Sequence, residues 1–508
     1  MTTPTVDKAA VRTSLHNRGI CVIIPVYNNV GTVDAVVSDV LQYCGDVFVV
    51  DDGSTDGTTA LLRQRSDIRL VHYDRNRGKG HALKEGFRAA LAEGFAYAIT
   101  MDADGQHSAS DIPAFLTANR RWPDALIVGS RSERGASDAK GSRFANRFSN
   151  FWFCVQTFHH LPDTQTGYRL YPLCRLKGYR LITARYEAEL ELLVFASWHG
   201  VALRSIPVSV YYPPRGERVS HFRPGLDFTR ISILNTLLCL LAVVYALPLW
   251  LLRTTATLLR TIGTAAMLLI PLLFIFTPSI WLYVKIGKMT EQKKRAIHQL
   301  MYRVIRFAVY RIGLPGVRFR CQVNPEVDFN KPSVIVCNHQ SHLDLLYLLT
   351  LSPRLIFLTN DWAYHNPFYG FIIRHAEYYP ATMGIDELLP HFKSLVARGY
   401  SIAIFPEGTR SVDLQIGPFH RGAAYVADEL GLAITPILLH GTGHVLRKHC
   451  HHLNKGLVRL IVDKPISVET LQQHPTLKQQ TRLLHDCYVE WLAQVDDEMA
   501  RNNRRNGQ

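Results

Sequence analysis

Between Arg230 and Arg253 lie 22 residues without a charged side chain, and between Arg260 and Lys285 lie 24 more. Each run exceeds the roughly 20 residues that an α-helix needs to cross a hydrocarbon core of about 30 Å. The whole chain, at 508 residues, is also too long for one core. It is therefore expected to fold as two bodies separated by an apolar segment. That segment, residues 230–286, reads as a helical hairpin with a tight turn at Arg253–Arg260. Two membrane crossings are expected, and the alternative is an interfacial or re-entrant hairpin, which Pro248, Pro271 and Pro278 allow. Lys and Arg crowd its outer flanks (Arg215, Arg218, Arg223 and Arg230 before; Lys285, Lys288, Lys293, Lys294 and Arg295 after), whereas the turn holds two arginines. This asymmetry places both flanking bodies on the cytoplasmic side, here expected to be that of a bacterial inner membrane.

The formal charge of +15 raises the question of nucleic acid. No recognisable binding motif gathers the basic residues, so nucleic acid is not an expected partner. An anionic membrane surface is, since juxtamembrane Lys and Arg each gain roughly 1 kcal/mol there. Nine cysteines without paired spacing fit free thiols in a reducing compartment. His449-Cys450-His451-His452 reads as a surface turn, because adjacent residues rarely surround one metal. The N-terminal residues show no signal-peptide pattern.

On both sides of the apolar segment, short β-branched runs alternate with helical patterns, the rhythm of α/β sheets. Strands are expected at Cys21–Val26, Val47–Asp51, Leu70–Tyr73, Tyr97–Met101, Ala125–Gly129 and Val201–Tyr211. In the second half they are expected at Ser333–Cys337, Leu355–Leu358, Ser401–Phe405, Ile434–Leu438 and Leu457–Val462. The expected division is a polar leader 1–18, a first α/β domain 19–229, the apolar hairpin, a second α/β domain 287–490 and a polar tail 491–508, disordered from Arg501.

In the first domain two acidic pairs close buried strands. Asp51-Asp52 ends one, where ligands commonly meet the carboxyl ends of parallel strands, and a carboxylate there can hold a nucleoside. Asp102 and Asp104 end another. Two carboxylates one residue apart can hold a hard cation, Mg²⁺ or Mn²⁺, which bridges a diphosphate and neutralises it as it departs.

The segments Val22-Ile23-Ile24-Pro25-Val26-Tyr27-Asn28, Val50-Asp51-Asp52-Gly53-Ser54-Thr55-Asp56-Gly57-Thr58, Asn76-Arg77-Gly78-Lys79-Gly80 and Met101-Asp102-Ala103-Asp104-Gly105-Gln106-His107 closely resemble family 2 glycosyltransferases. The nearest branch resembles the dolichyl- or polyprenyl-phosphate sugar synthases. The resemblance covers roughly residues 19–225 and implies a Rossmann-like GT-A fold, a nucleotide-sugar donor, a divalent cation and inversion at the anomeric carbon. It implies nucleotide-sugar contacts from Pro25, Tyr27, Asp51, Asp52, Lys79, Asp102 and Arg131, and metal ligands Asp102, Asp104 and Gln106. Asp163, in Asp163-Thr164-Gln165-Thr166-Gly167-Tyr168-Arg169, is the expected base or acceptor-positioning carboxylate, with Glu189 its rival. A phosphate acceptor is already anionic and needs no base, whereas a hydroxyl acceptor does. Arg215, Arg218 and His221 are expected on phosphates or on lipid headgroups.

In the second domain His339 and Asp344 sit five apart after an apolar strand. A carboxylate that fixes a histidine's tautomer lets it deprotonate a hydroxyl, and no enzyme nucleophile is needed when that hydroxyl attacks a thioester. Asn338-His339-Gln340-Ser341-His342-Leu343-Asp344, Gly370-Phe371-Ile372-Ile373-Arg374 and Phe405-Pro406-Glu407-Gly408-Thr409-Arg410-Ser411, with Pro436 closing a later strand, resemble the glycerolipid acyltransferases over about residues 300–465. The resemblance implies His339 as general base, Asp344 as its orienting partner, and Arg374, Glu407, Gly408, Thr409 and Arg410 as acyl-acceptor contacts. The donor would be acyl-CoA or acyl-carrier protein, without a cofactor. The two halves together imply a bifunctional membrane-associated transferase, a glycosyltransferase and O-acyltransferase of glycolipid or lipid biosynthesis. The alternatives are two independent activities, polyprenyl-phosphate glycosylation and lysophosphatidate acylation, or a lipid-binding scaffold with one inactive head.

Overall fold

In a computed structural model, residues 7–131, 140–179, 182–211, 224–367 and 370–506 are described. Arg215, Arg218 and His221 lie outside them. The chain divides into two compact units, one of Met1–Leu252 with Gln494–Gln508 and one of Arg253–Ala493.

The first unit is built on seven strands: β1 Ile20–Val26, β2 Val47–Asp51, β3 Arg69–His72, β4 Tyr97–Thr100, β5 Leu126–Arg131, β6 Arg169–Pro172 and β7 Leu203–Val208. Their order is β3-β2-β1-β4-β6-β5-β7. β6 runs antiparallel to both β4 and β5, and the other pairings are parallel. β1 and β2 read as unbroken apolar runs because both faces of the sheet are covered. Side chains alternate between two cores: Val22, Ile24 and Val26 join one cluster, Cys21 and Ile23 the other. The β1–β2 register pairs Val26 with Asp51, bringing the end of β1 beside the acidic end of β2.

The second unit also holds seven strands: β8 Val317–Val323, β9 Val334–Cys337, β10 Leu355–Thr359, β11 Tyr379–Pro380, β12 Ser401–Ile404, β13 Ile434–His440 and β14 Gly456–Val462. The order β11-β10-β12-β9-β13-β14-β8 sets β9 between β12 and β13. The segments following β9 and β12 therefore leave the sheet as neighbours, at their carboxyl ends.

Four expectations differ from the structure. The leader is not loose: Lys8–Arg18 is a helix, N-capped by Asp7 on the amides of Ala9 and Ala10 and closed by left-handed Gly19, with Leu15 and Arg18 buried. The strands β6, β8 and β11 were not expected; β6 is four residues long and follows a turn-rich segment, and β11 is two residues long. The polar tail is not disordered from Arg501, since the helix Leu477–Asn506 continues through it. The apolar segment does not turn at Arg253–Arg260. Helix runs without a break from Thr229 to Lys285, 57 residues, with Arg253 and Arg260 inside its stretch Leu247–Pro271.

At two of its prolines the helix widens instead of breaking. π-helical turns at Ala242–Ala246 and Leu272–Phe276 contain Val244 and Phe274, the residues four before Pro248 and Pro278. A proline cannot donate to that carbonyl and clashes with it, and a widened turn relieves both faults while the helix goes on.

Candidate active sites

The first centre gathers at the carboxyl ends of β1, β2 and β4. Asp51, buried, accepts from the Ser54 amide (3.1 Å) and from Thr59 Oγ1 (2.5 Å), and it meets His72 Nδ1 at 3.0 Å. Asp52 accepts the amides of Arg77 (2.7 Å) and Gly78 (2.8 Å). Asp52 thus shapes the loop that leads into the helix Lys79–Ala92, while Asp51 holds the turn after β2 and the end of β3. Pro25 and Tyr27, half-buried, stand at the end of β1 beside them.

Lys79, the first residue of that helix, reaches Asp102 Oδ1 at 2.7 Å and Glu189 Oε2 at 3.0 Å. Burial opposes its charge, but Asp102 and then Glu189 outweigh burial and raise its pKa above the ordinary lysine value. Burial likewise works against the charge of Asp102, and Lys79 and then His107 hold its pKa below the usual carboxylate value. Asp104 forms no ion pair among the described residues, and Lys79 and His107 act on it only weakly and from farther off. Its carboxylate accepts the Gln106 amide at 3.0 Å, and burial together with Asp102 pushes its pKa up.

An acid pair with one member uncompensated fits a hard divalent cation, which Mg²⁺-type sites hold by one or two carboxylates plus substrate phosphate oxygens. Among the described residues no three His, Cys, Asp or Glu side chains cluster for a metal, so phosphate oxygens would complete such a shell.

Arg131, at the end of β5, forms a two-pronged pair with buried Asp163, Nε–Oδ2 2.5 Å and Nη2–Oδ1 3.0 Å. Asp163 also accepts the amides of Gln165 and Thr166. Two residues went unrecognised in the sequence. Arg169, fully buried on β6, donates to the carbonyls of Glu189 (2.8 Å) and Thr164 (2.8 Å), tying the Asp163 loop to the Glu189 helix. Gly167 backs the centre so closely that a Cβ there would lie 2.6 Å from Asp102 Oδ2 and 2.8 Å from Lys79 Nζ. Both stood inside the quoted 163–169 segment, but the sequence carries no sign of what they face.

The second centre forms where β9 and β12 end side by side. His339 Nδ1 lies 2.8 Å from Asp344 Oδ2, and the same oxygen accepts the amides of Gln340 (2.7 Å) and Ser341 (2.8 Å). Asp344 is fully buried. A carboxylate at Nδ1 fixes the Nδ1–H tautomer and leaves the Nε2 lone pair as the base. The ring stacks on Phe405, 4.2 Å between centroids. Glu407 Oε1 accepts the His339 amide (2.7 Å) and Oε2 the Gly417 amide (2.8 Å), while burial pushes its pKa up. Buried Asn338, also missed in the sequence, clamps this segment to β13 through the carbonyl (2.9 Å) and amide (2.8 Å) of Leu439.

Gly408 has φ +64 and Thr409 accepts from Lys448 Nζ at 3.0 Å; both are exposed at the rim. The half-buried Arg410 guanidinium has no acid or hydrogen-bond acceptor among the described residues, and its charge is felt by His342, whose pKa burial lowers first and Arg410 second. Arg374 is exposed on the helix Gly370–His375 and donates to the Tyr364 carbonyl at 2.6 Å. Among the described residues no hydrogen bond joins it to the His339 cluster.

The family model for Glycosyl transferase family 2 matches residues 21–172, and that for Acyltransferase matches residues 318–440. The chain is 31% identical over 220 residues to a chloroplast 1-acyl-sn-glycerol-3-phosphate acyltransferase of Arabidopsis thaliana, covering 40% of this chain and 56% of that one. It is 33% identical over 179 residues to the polyprenol monophosphomannose synthase of Mycolicibacterium smegmatis, covering 32% and 64%. It is 26% identical over 216 residues to the UDP-N-acetylglucosamine–dolichyl-phosphate N-acetylglucosaminyltransferase of Methanococcus voltae, covering 38% and 86%. The chain spans little more than half the length of the first two curated relatives it matches.

Proposed function

With a family 2 glycosyltransferase domain and an acyltransferase domain joined in one chain, we propose a bifunctional membrane-associated transferase of glycolipid assembly. One head moves a sugar from a nucleotide-sugar donor to a lipid or polyprenyl-phosphate acceptor. The other moves an acyl group from acyl-CoA or acyl-carrier protein to a hydroxyl of a lipid acceptor. The observation that carries this reading is the assembly of both centres in one chain: Asp102, Asp104 and Lys79 in one, His339, Asp344 and Glu407 in the other.

In acyl transfer the acceptor oxygen attacks the thioester carbonyl carbon as His339 Nε2 takes its proton. The C–S bond then breaks, and the departing thiolate recovers the proton from the imidazolium. Asp344 stabilises that imidazolium and holds the ring, and such base catalysis contributes about 10²–10⁴ in rate. Glu407 acts as a positioning residue on the His339 backbone, and Arg410 meets an anionic acceptor headgroup.

In sugar transfer Asp104, with Asp102 and Gln106, would hold Mg²⁺ or Mn²⁺, which when bound supplies charge neutralisation at the leaving diphosphate. Lys79 and Arg131 add fixed positive charge, and Asp163 orients Arg131. Arg131 occupies both oxygens of Asp163, whereas Glu189 pairs with Lys79 through Oε2 and keeps Oε1 without a partner among the described residues, so Glu189 is the better candidate to meet an acceptor hydroxyl; a phosphate acceptor needs neither. The apolar helix and its basic flanks support placement at the cytoplasmic face of a bacterial inner membrane.

Lipid mass spectrometry of cells carrying the wild type, Asp104→Ala or His339→Ala tests the reading. An unglycosylated lipid in the first mutant and an under-acylated glycolipid in the second are expected. Two unrelated lipid pools would mean independent activities, and no change in either would overturn the proposal.

A further inference from the structure

The apolar helix is long enough to cross a bilayer, yet each half is fastened to its own folded unit. In the first half Leu234, Asn235 and Leu238 are buried, and Leu241, Ala242 and Ala246 pack on the core of the first unit. Gln156 Nε2 donates to Asn235 Oδ1 at 2.9 Å, and His199 Nε2 meets the Tyr245 hydroxyl at 2.9 Å. These residues fall on one stripe of the helix. The opposite stripe, Ile233, Leu240, Val244, Leu247 and Leu251, is exposed, Val244 to 77%.

The second half repeats the arrangement on the second unit. Arg260 Nε donates to the Leu453 carbonyl (3.0 Å), the Leu453 amide donates to Thr261 Oγ1 (3.0 Å), and Thr264 is buried. Sixteen residues on, Ile280 is buried again, where the helix Thr277–Lys285 packs on Gly370–His375. The span between these anchors is about 24 Å at 1.5 Å per residue, less than a hydrocarbon core of about 30 Å. Both anchors belong to one compact unit. Between them Leu269, Ile270, Phe274 and Ile275 face outward, as does Leu282 just beyond.

We infer that this helix does not cross the bilayer: each half lies along its own domain and presents its outer apolar face to a lipid surface, sinking into one leaflet. On each half the exposed apolar side chains stand together on one face, and such faces mark protein or membrane interaction sites. The occupant is read from the chemistry at its end. Lys285 stands over the Trp281 ring (5.7 Å) and Lys293 over the Tyr283 ring (5.3 Å), and Lys288 follows. Aromatic rings beside ammonium groups at the edge of an apolar face match an anionic headgroup layer. This placement replaces the two-crossing expectation and does not depend on which groups the two heads transfer.

Two measurements on the full chain test it. Thr255→Cys puts a thiol on an exposed residue between the two arginines. Treated with a membrane-impermeant maleimide, it should react only after lysis, as should native exposed Cys174 and Cys487, one in each unit. Labelling of Thr255→Cys in intact cells would establish a two-crossing hairpin, and labelling of just one native cysteine a single crossing; either overturns the inference. Flotation with phosphatidylethanolamine–phosphatidylglycerol vesicles is the second. Phe274→Glu and Ile270→Glu should each weaken binding about ten-fold or more, since each removes a large apolar side chain from lipid. Unchanged flotation, or loss of a dimer instead, would mean that a second copy covers this face and would overturn it.

Discussion

In the acyltransferase centre the carboxylates are held by the main chain: Asp344 by the amides of Gln340 and Ser341, Glu407 by those of His339 and Gly417. In the glycosyltransferase centre Asp102 is held by a side-chain cation, Lys79, and Asp104, among the described residues, by the Gln106 amide. Backbone donors are fixed by the fold, so the first arrangement is assembled before any substrate arrives. The second is a balance of mobile charges that a cation or a diphosphate can redistribute. On the proposed function, this difference predicts that one head needs only its substrates, while the other is completed by what binds.

The largest expected effect falls on the assembled centre. His339→Ala should lower acyl transfer about a thousand-fold, the contribution of a positioned base, and leave sugar transfer unchanged in labelled-donor assays on one membrane preparation. A parallel fall in both would mean that the heads are not separable. Asp104→Asn should lower sugar transfer about a hundred-fold or more by weakening charge neutralisation at the diphosphate, with acyl transfer intact. If Asp104→Asn transfers sugar normally, the idea of a centre completed by its ligand fails.

Acid should distinguish the acyltransferase unit next. Burial holds His298, packed between Tyr378 and Tyr400, down to about 4. The unfolded histidine takes up a proton near pH 6.5 and the folded one near 4, so stability present above 6.5 is lost as pH falls towards 4, up to about 3 kcal/mol. Urea titrations at pH 7 and pH 4.5 should show this loss, and His298→Phe should remove most of it. An unchanged slope in the variant would reassign the effect. The smallest expected effect belongs to Gly167→Ala, whose Cβ would press on Asp102 and Lys79. Displacing that pair should cost about 1–2 kcal/mol, read as a five- to thirty-fold loss of sugar transfer with unaltered acyl transfer.

What could be read from the sequence followed how local each signal is. Unbroken Val and Ile runs marked β1, β2 and β9 to within a residue, because burial on both faces leaves a composition signal. The motif residues His339, Asp344, Asp102 and Asp104 were legible because their spacing carries their chemistry. β6 was not: it is short and lies in a segment of threonines and glycine whose pairing with β4 is set from seventy residues away. Lys79 was quoted in a motif, but its pairing with both Asp102 and Glu189 joins three separate elements. The helix through Arg253 and Arg260 was misread as a turn for the same reason. Two arginines between apolar runs look like a loop until Leu453 supplies a carbonyl for one of them.

The contrast between the centres is tested most directly by following both transfers in one sample as divalent cations are stripped with EDTA and restored with Mn²⁺. The account predicts that sugar transfer disappears and returns while acyl transfer holds steady throughout. Sugar transfer that survives chelation, or acyl transfer that falls and recovers with it, would contradict the account.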